Sequence, residues 1–147
     1  MDLVQQLSTA AAESGIAELA INSGEACSVT LDSGPEITFE LADNGEKLFL
    51  YAPVIGHLPD DRTEIYEAVL SLNLFGRETA GGSIGYDESR DELLLIMSRE
   101  EHDGIIDFEK LTGTFVAVLE HCAKAAAGIG NEKNEPVTAP AMMNMRV

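Results

Sequence analysis

Residues 61–97, DRTEIYEAVLSLNLFGRETAGGSIGYDESRDELLLIM, read as a capped helix, a glycine-rich link, a strand, a polar turn and a second strand. The helix is predicted over residues 63–75, with Asp61-Arg62-Thr63-Glu64 supplying its N-cap and a first-turn carboxylate. One stripe of it holds Ile65, Ala68, Val69, Leu72 and Phe75, and a second holds Tyr66, Leu70 and Leu74. Only Thr63, Glu64, Glu67 and Ser71 form a polar arc, and Asn73 stands alone among apolar neighbours. A helix packed on one sheet needs one apolar face. An almost all-round apolar helix is therefore expected to be buried on two sides, against its own sheet and against a copy of itself across a two-fold axis. The seam of that homodimer is expected to comprise Ile65, Val69, Leu72, Asn73 and Phe75, with Ile84 from the next strand. Burial inside a larger core of one chain is the alternative.

Working back toward the N-terminus, Ile37, Phe39 and Leu41 alternate with Thr38 and Glu40, as Cys27, Val29 and Leu31 do with Ser28 and Thr30. Both runs have strand spacing. Asp32-Ser33-Gly34-Pro35 and Asp43-Asn44-Gly45 are turn signals, the latter a strong one for a hairpin, so residues 27–52 read as a three-stranded meander. In its third strand Leu48 and Leu50 point to one face while Phe49 and Tyr51 point to the other. The later strand Leu93-Leu94-Leu95-Ile96-Met97 is also apolar on both sides. Such a sheet is either covered twice by helices or leaves an apolar surface open to a partner.

Leu3, Val4, Leu7, Ala10 and Ala11 recur at helical spacing before a Ser14-Gly15 stop, giving a short first helix. A third helix is predicted from Asp107 to Ala127, with Phe108, Leu111, Phe115, Val118, Leu119 and Cys122 on one side and Gly128 past its end. The expected architecture is α+β, in the order α-βββ-α-ββ-α, a twisted antiparallel sheet flanked by three helices. Residues 1–128 form the single domain of this reading. From Ile129 periodicity ends, and Pro136, Pro140, Met142, Met143 and Met145 mark an expected disordered tail over 129–147.

Nine basic and 26 acidic residues give a net charge of −17, so nucleic acid and anionic membranes are unfavourable partners and a neutral or basic partner is expected. The N-terminus lacks a signal-peptide pattern, and no stretch reaches the roughly 20 apolar residues of a membrane span. With only Cys27 and Cys122, the chain fits a reducing cytoplasm, both thiols acting as small hydrophobes. Gly81-Gly82-Ser83-Ile84-Gly85-Tyr86 lacks the Gly-Lys-Ser/Thr ending of a phosphate loop and follows a helix, so it is read as small residues permitting close backbone approach at the seam. His57, His102 and His121 lie apart in sequence and form no metal or acid–base set. No catalytic residue, metal site or cofactor is expected.

The stretch from Ala68 to Gly76, followed by Gly85-Tyr86-Asp87 and Glu92-Leu93-Leu94-Leu95, resembles the leucine-and-asparagine helix, glycine-rich strand and apolar strand of the class I type III secretion chaperones, the CesT-like (Tir chaperone) family. The likeness runs over about residues 1–127. It implies a cytosolic homodimer, paired through the second helix and the neighbouring strand, that holds an extended N-terminal segment of one secreted effector before export, without ATP. Partner switching with a secretion-control protein is a variant of that role. Phe49 and Tyr51 are the expected anchors for the guest, with Leu3 and Leu7 lining a groove beside them. The alternative from charge alone is an acidic inhibitor or immunity-type protein that caps a folded basic toxin.

Overall fold

The computed structural model describes residues 2–16, 26–31, 34–42 and 45–132, of which 129–132 by their backbone alone. Helix α1 (Leu3–Glu13) precedes strands β1 (Ala26–Thr30), β2 (Glu36–Ala42) and β3 (Lys47–Pro53). Helix α2 (Thr63–Leu72) leads through a 3-10 turn at Leu74–Gly76 to β4 (Ser83–Asp87) and β5 (Glu92–Glu100), and helix α3 (Phe108–Glu132) ends the described chain. The five strands form one sheet in the order β1-β2-β3-β5-β4, every neighbouring pair antiparallel. This is the expected α+β order, with β1 and β4 left as edges.

Local chemistry explains the element ends. Asp2 accepts a hydrogen bond from the Gln5 N–H at 2.8 Å and so caps α1, whose far end turns at Ser14 and at Gly15 with φ 88°. Asp107 does the same for α3, accepting from the Lys110 N–H at 3.1 Å. Two boundaries differ from expectation. The α3 helix passes through Gly128, which keeps a right-handed backbone, and runs on to Glu132, because a single glycine weakens a helix by only about 1 kcal/mol and need not end it. Residues 129–132 are thus helical rather than tail. The remaining tail residues 133–147, with Met142, Met143 and Met145, lie outside the described residues, as do positions 32–33 and 43–44 of the two predicted turns.

The α2 helix stops at Leu72, three residues before its apolar periodicity does, with Asn73 as C-cap and Phe75 at φ 60°. Its N-cap is Arg62, which makes no capping bond, and the Asp61 carboxylate stands 3.4 Å from the Thr63 N–H.

In an antiparallel sheet directly paired residues share a face. Phe39, Leu50 and Met97 form one such row, and Thr38, Tyr51 and Ile96 form a row on the opposite face. On the first face Ile37, Phe39, Leu41, Leu48, Leu50, Ala52, Leu93 and Leu95 are buried together with residues of all three helices: Leu3 and Leu7 from α1, Val69 and Leu72 from α2, Phe115, Leu119 and Cys122 from α3. Phe39 stacks on Phe108 at 5.9 Å between centroids. The described helices therefore cover one side of the sheet. None of them is long and apolar enough to cross a membrane.

A polar clasp ties the start of α2 to the β4–β5 turn. The Arg62 guanidinium forks onto the Asp91 carboxylate, with Nη2 to Oδ2 at 2.6 Å, and its Nε donates to the Pro59 carbonyl at 2.8 Å. The Tyr86 hydroxyl donates to Asp91 Oδ1 at 2.6 Å, and the Tyr66 and Tyr86 rings meet edge to face at 6.1 Å. Hydrogen bonds from Arg62 and then Tyr86 hold the Asp91 carboxyl far below the usual carboxylate range. The sign of the linkage follows: a carboxyl depressed in the folded state lends stability that is full above its unfolded value of about 3.9 and fades as pH falls below that value. The melting temperature of Asp91→Asn is accordingly expected to lie below the parent's by a constant margin from pH 7 to about pH 5, and the margin should shrink below about pH 4. Equal melting temperatures at neutral pH would show the clasp to be idle.

Candidate functional site

Two apolar surfaces stand out among the described residues. The first is the sheet face that the described helices leave open. Strands β3 and β5 lie side by side there and present Phe49, Tyr51, Leu94 and Ile96, all half-buried, with Tyr51 paired directly to Ile96. The alternation of β3 and β5 places these four side chains opposite the core. Phe49 and Tyr51 thus stand where the sequence put them, and Leu94 and Ile96 extend the patch they form. Lys47 Nζ lies 5.6 Å from the centre of the Phe49 ring. Glu36, Glu40, Asp87, Glu92 and Glu100 share the face by alternation, so an apolar centre sits within an acidic rim. Burial first, and the Glu40 charge second, raises the Tyr51 phenol above its ordinary value and keeps it neutral.

Leu3 and Leu7 are not part of this surface. Both are fully buried under α3 and the sheet, so the first helix spends its apolar stripe on the core.

The second surface runs along α2 and β4. Of the six residues expected in a seam, Val69 and Leu72 are each only 4% exposed, and Ile84 is also buried, all inside their own chain. Ile65 is half-buried against the same core, and Asn73 is turned onto the backbone of Ile84. Phe75 alone stands out, 79% exposed, beside Leu70 at 68%, Leu74 at 61% and Tyr86 at 49%. The helix does carry two apolar stripes, but Val69 and Leu72 of the one assigned to the seam lie in the core, while Leu70 and Leu74 of the other face outward and Tyr66 is half-buried against the core. Periodicity gives the angle between stripes and not which one turns inward. Phe75 is moreover held at φ 60°, a left-handed conformation that costs a non-glycine residue about 1–2 kcal/mol, with the Arg77 guanidinium 5.2 Å from its ring centre. Gly82, read from sequence as a close approach at the seam, is tight within its own chain: an added Cβ would stand 2.7 Å from the Ile96 carbonyl oxygen.

Neither surface carries reactive groups. His102 Nε2 lies 3.1 Å from Glu100 and His121 Nε2 3.6 Å from Glu78, both surface pairs, and among the described residues no group of His, Cys, Asp and Glu side chains could hold a metal. Cys122 is buried, which pushes its thiol up and away from reactivity. The arrangement is one for binding.

No curated protein sequence matches the chain. A family model does, over residues 5–123, from α1 into the middle of α3. The chain belongs to the Tir chaperone protein (CesT) family. That is a family of chaperones and not of enzymes. Among solved structures, the fold is similar to a chain in the heterodimeric complex ExoU-SpcU from the type III secretion system of Pseudomonas aeruginosa, with 15% identity, a TM-score of 0.65 and coverage of 81% of this chain and 96% of that one. It is similar also to the Yersinia pestis type III secretion chaperone SycH in complex with a stable fragment of YscM2, at 20% identity and TM-score 0.60, covering 82% and 97%. A third likeness is to the ExsC-ExsE complex, at 23% identity and TM-score 0.61, covering 83% and 92%. At such identities these likenesses establish the fold.

Within this CesT-family fold the first helix is a core element. Leu7→Ala is expected to lower the unfolding free energy by about 2–5 kcal/mol in a urea titration. An unchanged transition would return Leu7 to the surface.

Proposed function

We propose that the chain acts in the cytoplasm as a homodimeric chaperone that binds an extended N-terminal segment of one secreted effector and keeps it competent for export. The observation that carries this reading is the open sheet face: a row of large apolar side chains, Phe49, Tyr51, Leu94 and Ile96, on the side that the described helices leave bare, in a member of a chaperone family. The complexes formed by similar folds, the SycH–YscM2 fragment among them, support it by analogy. An unfolded guest supplies apolar anchors without a shape of its own and suits such a surface better than a folded domain does. The acidic rim and the net charge of −17 favour a segment with basic residues between its anchors.

The second copy belongs on the α2–β4 surface. Fully burying a leucine or phenylalanine is worth about 1.5–3 kcal/mol. A two-fold seam uses Leu70, Leu74, Phe75 and Tyr86 twice, which reaches the order of the roughly 4–15 kcal/mol lost on association. Repulsion between two acidic chains is screened at physiological salt.

Two variants separate the surfaces. Phe75→Glu places a carboxylate in the seam twice over and should turn a dimer into a monomer by sedimentation velocity. Replacing Phe49 and Tyr51 together by serine should leave the dimer intact and weaken capture of the guest at least tenfold, the effect of about 1.4 kcal/mol. The guest itself is sought by affinity capture from the native cytosol, followed by binding of its isolated N-terminal fragment. Binding only of a folded catalytic domain would favour an acidic inhibitor, and a parent that is monomeric at micromolar concentration would remove the seam.

A further inference from the structure

The sheet ends on β1 and β4, and a free strand edge offers its N–H and C=O groups to any extended chain. Along an antiparallel strand alternate residues aim both groups at the neighbouring strand or both outward. At Ile84 both are taken by one side chain of the same chain: the Ile84 N–H donates to Asn73 Oδ1 at 2.6 Å, and Asn73 Nδ2 donates to the Ile84 carbonyl at 2.9 Å. Those two groups therefore point away from β5. Two residues earlier the pattern repeats, for the Gly82 N–H donates to the Thr79 carbonyl at 2.9 Å and the Thr79 hydroxyl donates to the Gly82 carbonyl at 2.6 Å. Thr79 is fully buried and Asn73 half-buried, so both partners are seated in the fold. The carboxamide of Asn73 occupies the place that a peptide group of a partner strand would take. Aspartate has no donor for the Ile84 carbonyl, and leucine has neither group.

We propose that Asn73, assisted by Thr79, plugs the outward edge of β4, so that the α2–β4 surface receives a second copy of the chain through side chains and refuses an extended strand, the guest segment included. This rests on the reading of that surface as the seam between two copies. It assigns the two partners to different chemistry: the copy docks on Leu70, Leu74, Phe75 and Tyr86, while an extended segment must find its place elsewhere on the sheet. Asn73 makes both bonds as the C-cap of α2, with its backbone right-handed and its own N–H bonded to the Val69 carbonyl at 3.1 Å.

The test is amide hydrogen exchange at Ile84, read by NMR in the full chain, in Phe75→Glu and in Asn73→Ala. The Ile84 amide should be equally protected in the parent and in the monomeric Phe75→Glu variant. In Asn73→Ala it should exchange about tenfold faster or more, the loss expected for two hydrogen bonds. A seven-residue peptide of alternating valine and threonine with terminal lysines, added as a strand-forming probe, should restore the protection in Asn73→Ala and leave Ile84 of the parent unmoved. Protection that is present only in the dimer, protection unchanged in Asn73→Ala, or a response of the parent to the probe would each overturn the proposal. Should Asn73→Ala not fold, the comparison of parent with Phe75→Glu decides alone. A parent found monomeric by sedimentation would remove the seam and leave the plug standing, so the two readings fail separately.

Discussion

Strands β3 and β5 lie side by side in the middle of the sheet, and each carries large apolar side chains on both faces, whereas the three described helices lie on one face only. The rest of the molecule follows from that imbalance. On the covered side, Phe39, Leu48, Leu50 and Leu95 close against α1, α2 and α3 in a core that includes Leu3, Leu7, Val69 and Phe115. On the bare side, Phe49, Tyr51, Leu94 and Ile96 remain in contact with water along their outer edges. A sheet of this kind packs its inner face in the core, yet it retains an outer surface whose burial would release free energy. Binding can then be strong without any change in the scaffold.

Charge keeps that surface from being a hazard. A contiguous exposed apolar patch promotes association, but here glutamates and an aspartate share the face, and the whole chain carries −17. Like-charged chains resist unspecific contact through the field that attracts a basic segment. The same economy shows at the strand edge. A free β4 beside exposed Leu74 and Phe75 would invite edge-to-edge pairing, and the carboxamide of Asn73 occupies the groups that such pairing needs.

Much of this was legible in the residues alone because strands betray themselves by alternation. The two-faced character of Lys47–Pro53 and of Glu92–Glu100 could be read directly, and with it the positions of Phe49 and Tyr51. The order of elements followed from turn signals and from helix ends such as the Ser14-Gly15 stop. What failed was orientation. Helix α2 has two apolar stripes, and nothing in their spacing tells which meets the sheet, so Val69 and Leu72 were placed outside when they lie within. Leu3 and Leu7 were given to a groove for the same reason: an amphipathic stripe announces that it will be covered and not by what. Gly128 looked like a stop because glycine commonly is one, but a glycine stop works through a left-handed backbone, and this one stays right-handed.

Asn73 shows a further limit of reading by pattern. In the sequence it is a polar interruption in an apolar helix, which any periodicity argument treats as a defect. In the fold it is the C-cap of α2, its backbone still right-handed and its N–H bonded to the Val69 carbonyl, while its side chain is turned onto β4. Its two hydrogen bonds link positions 11 residues apart and fix where β4 lies against the end of α2. The next residues turn sharply, Phe75 standing at φ 60° with its ring outward and Gly76 at φ 66°. The exposed aromatic residue and the occupied strand groups thus lie side by side at one place, the C-terminal end of α2. A polar residue that breaks an apolar pattern just where the pattern should end is in this fold what sets the geometry of the surface around it.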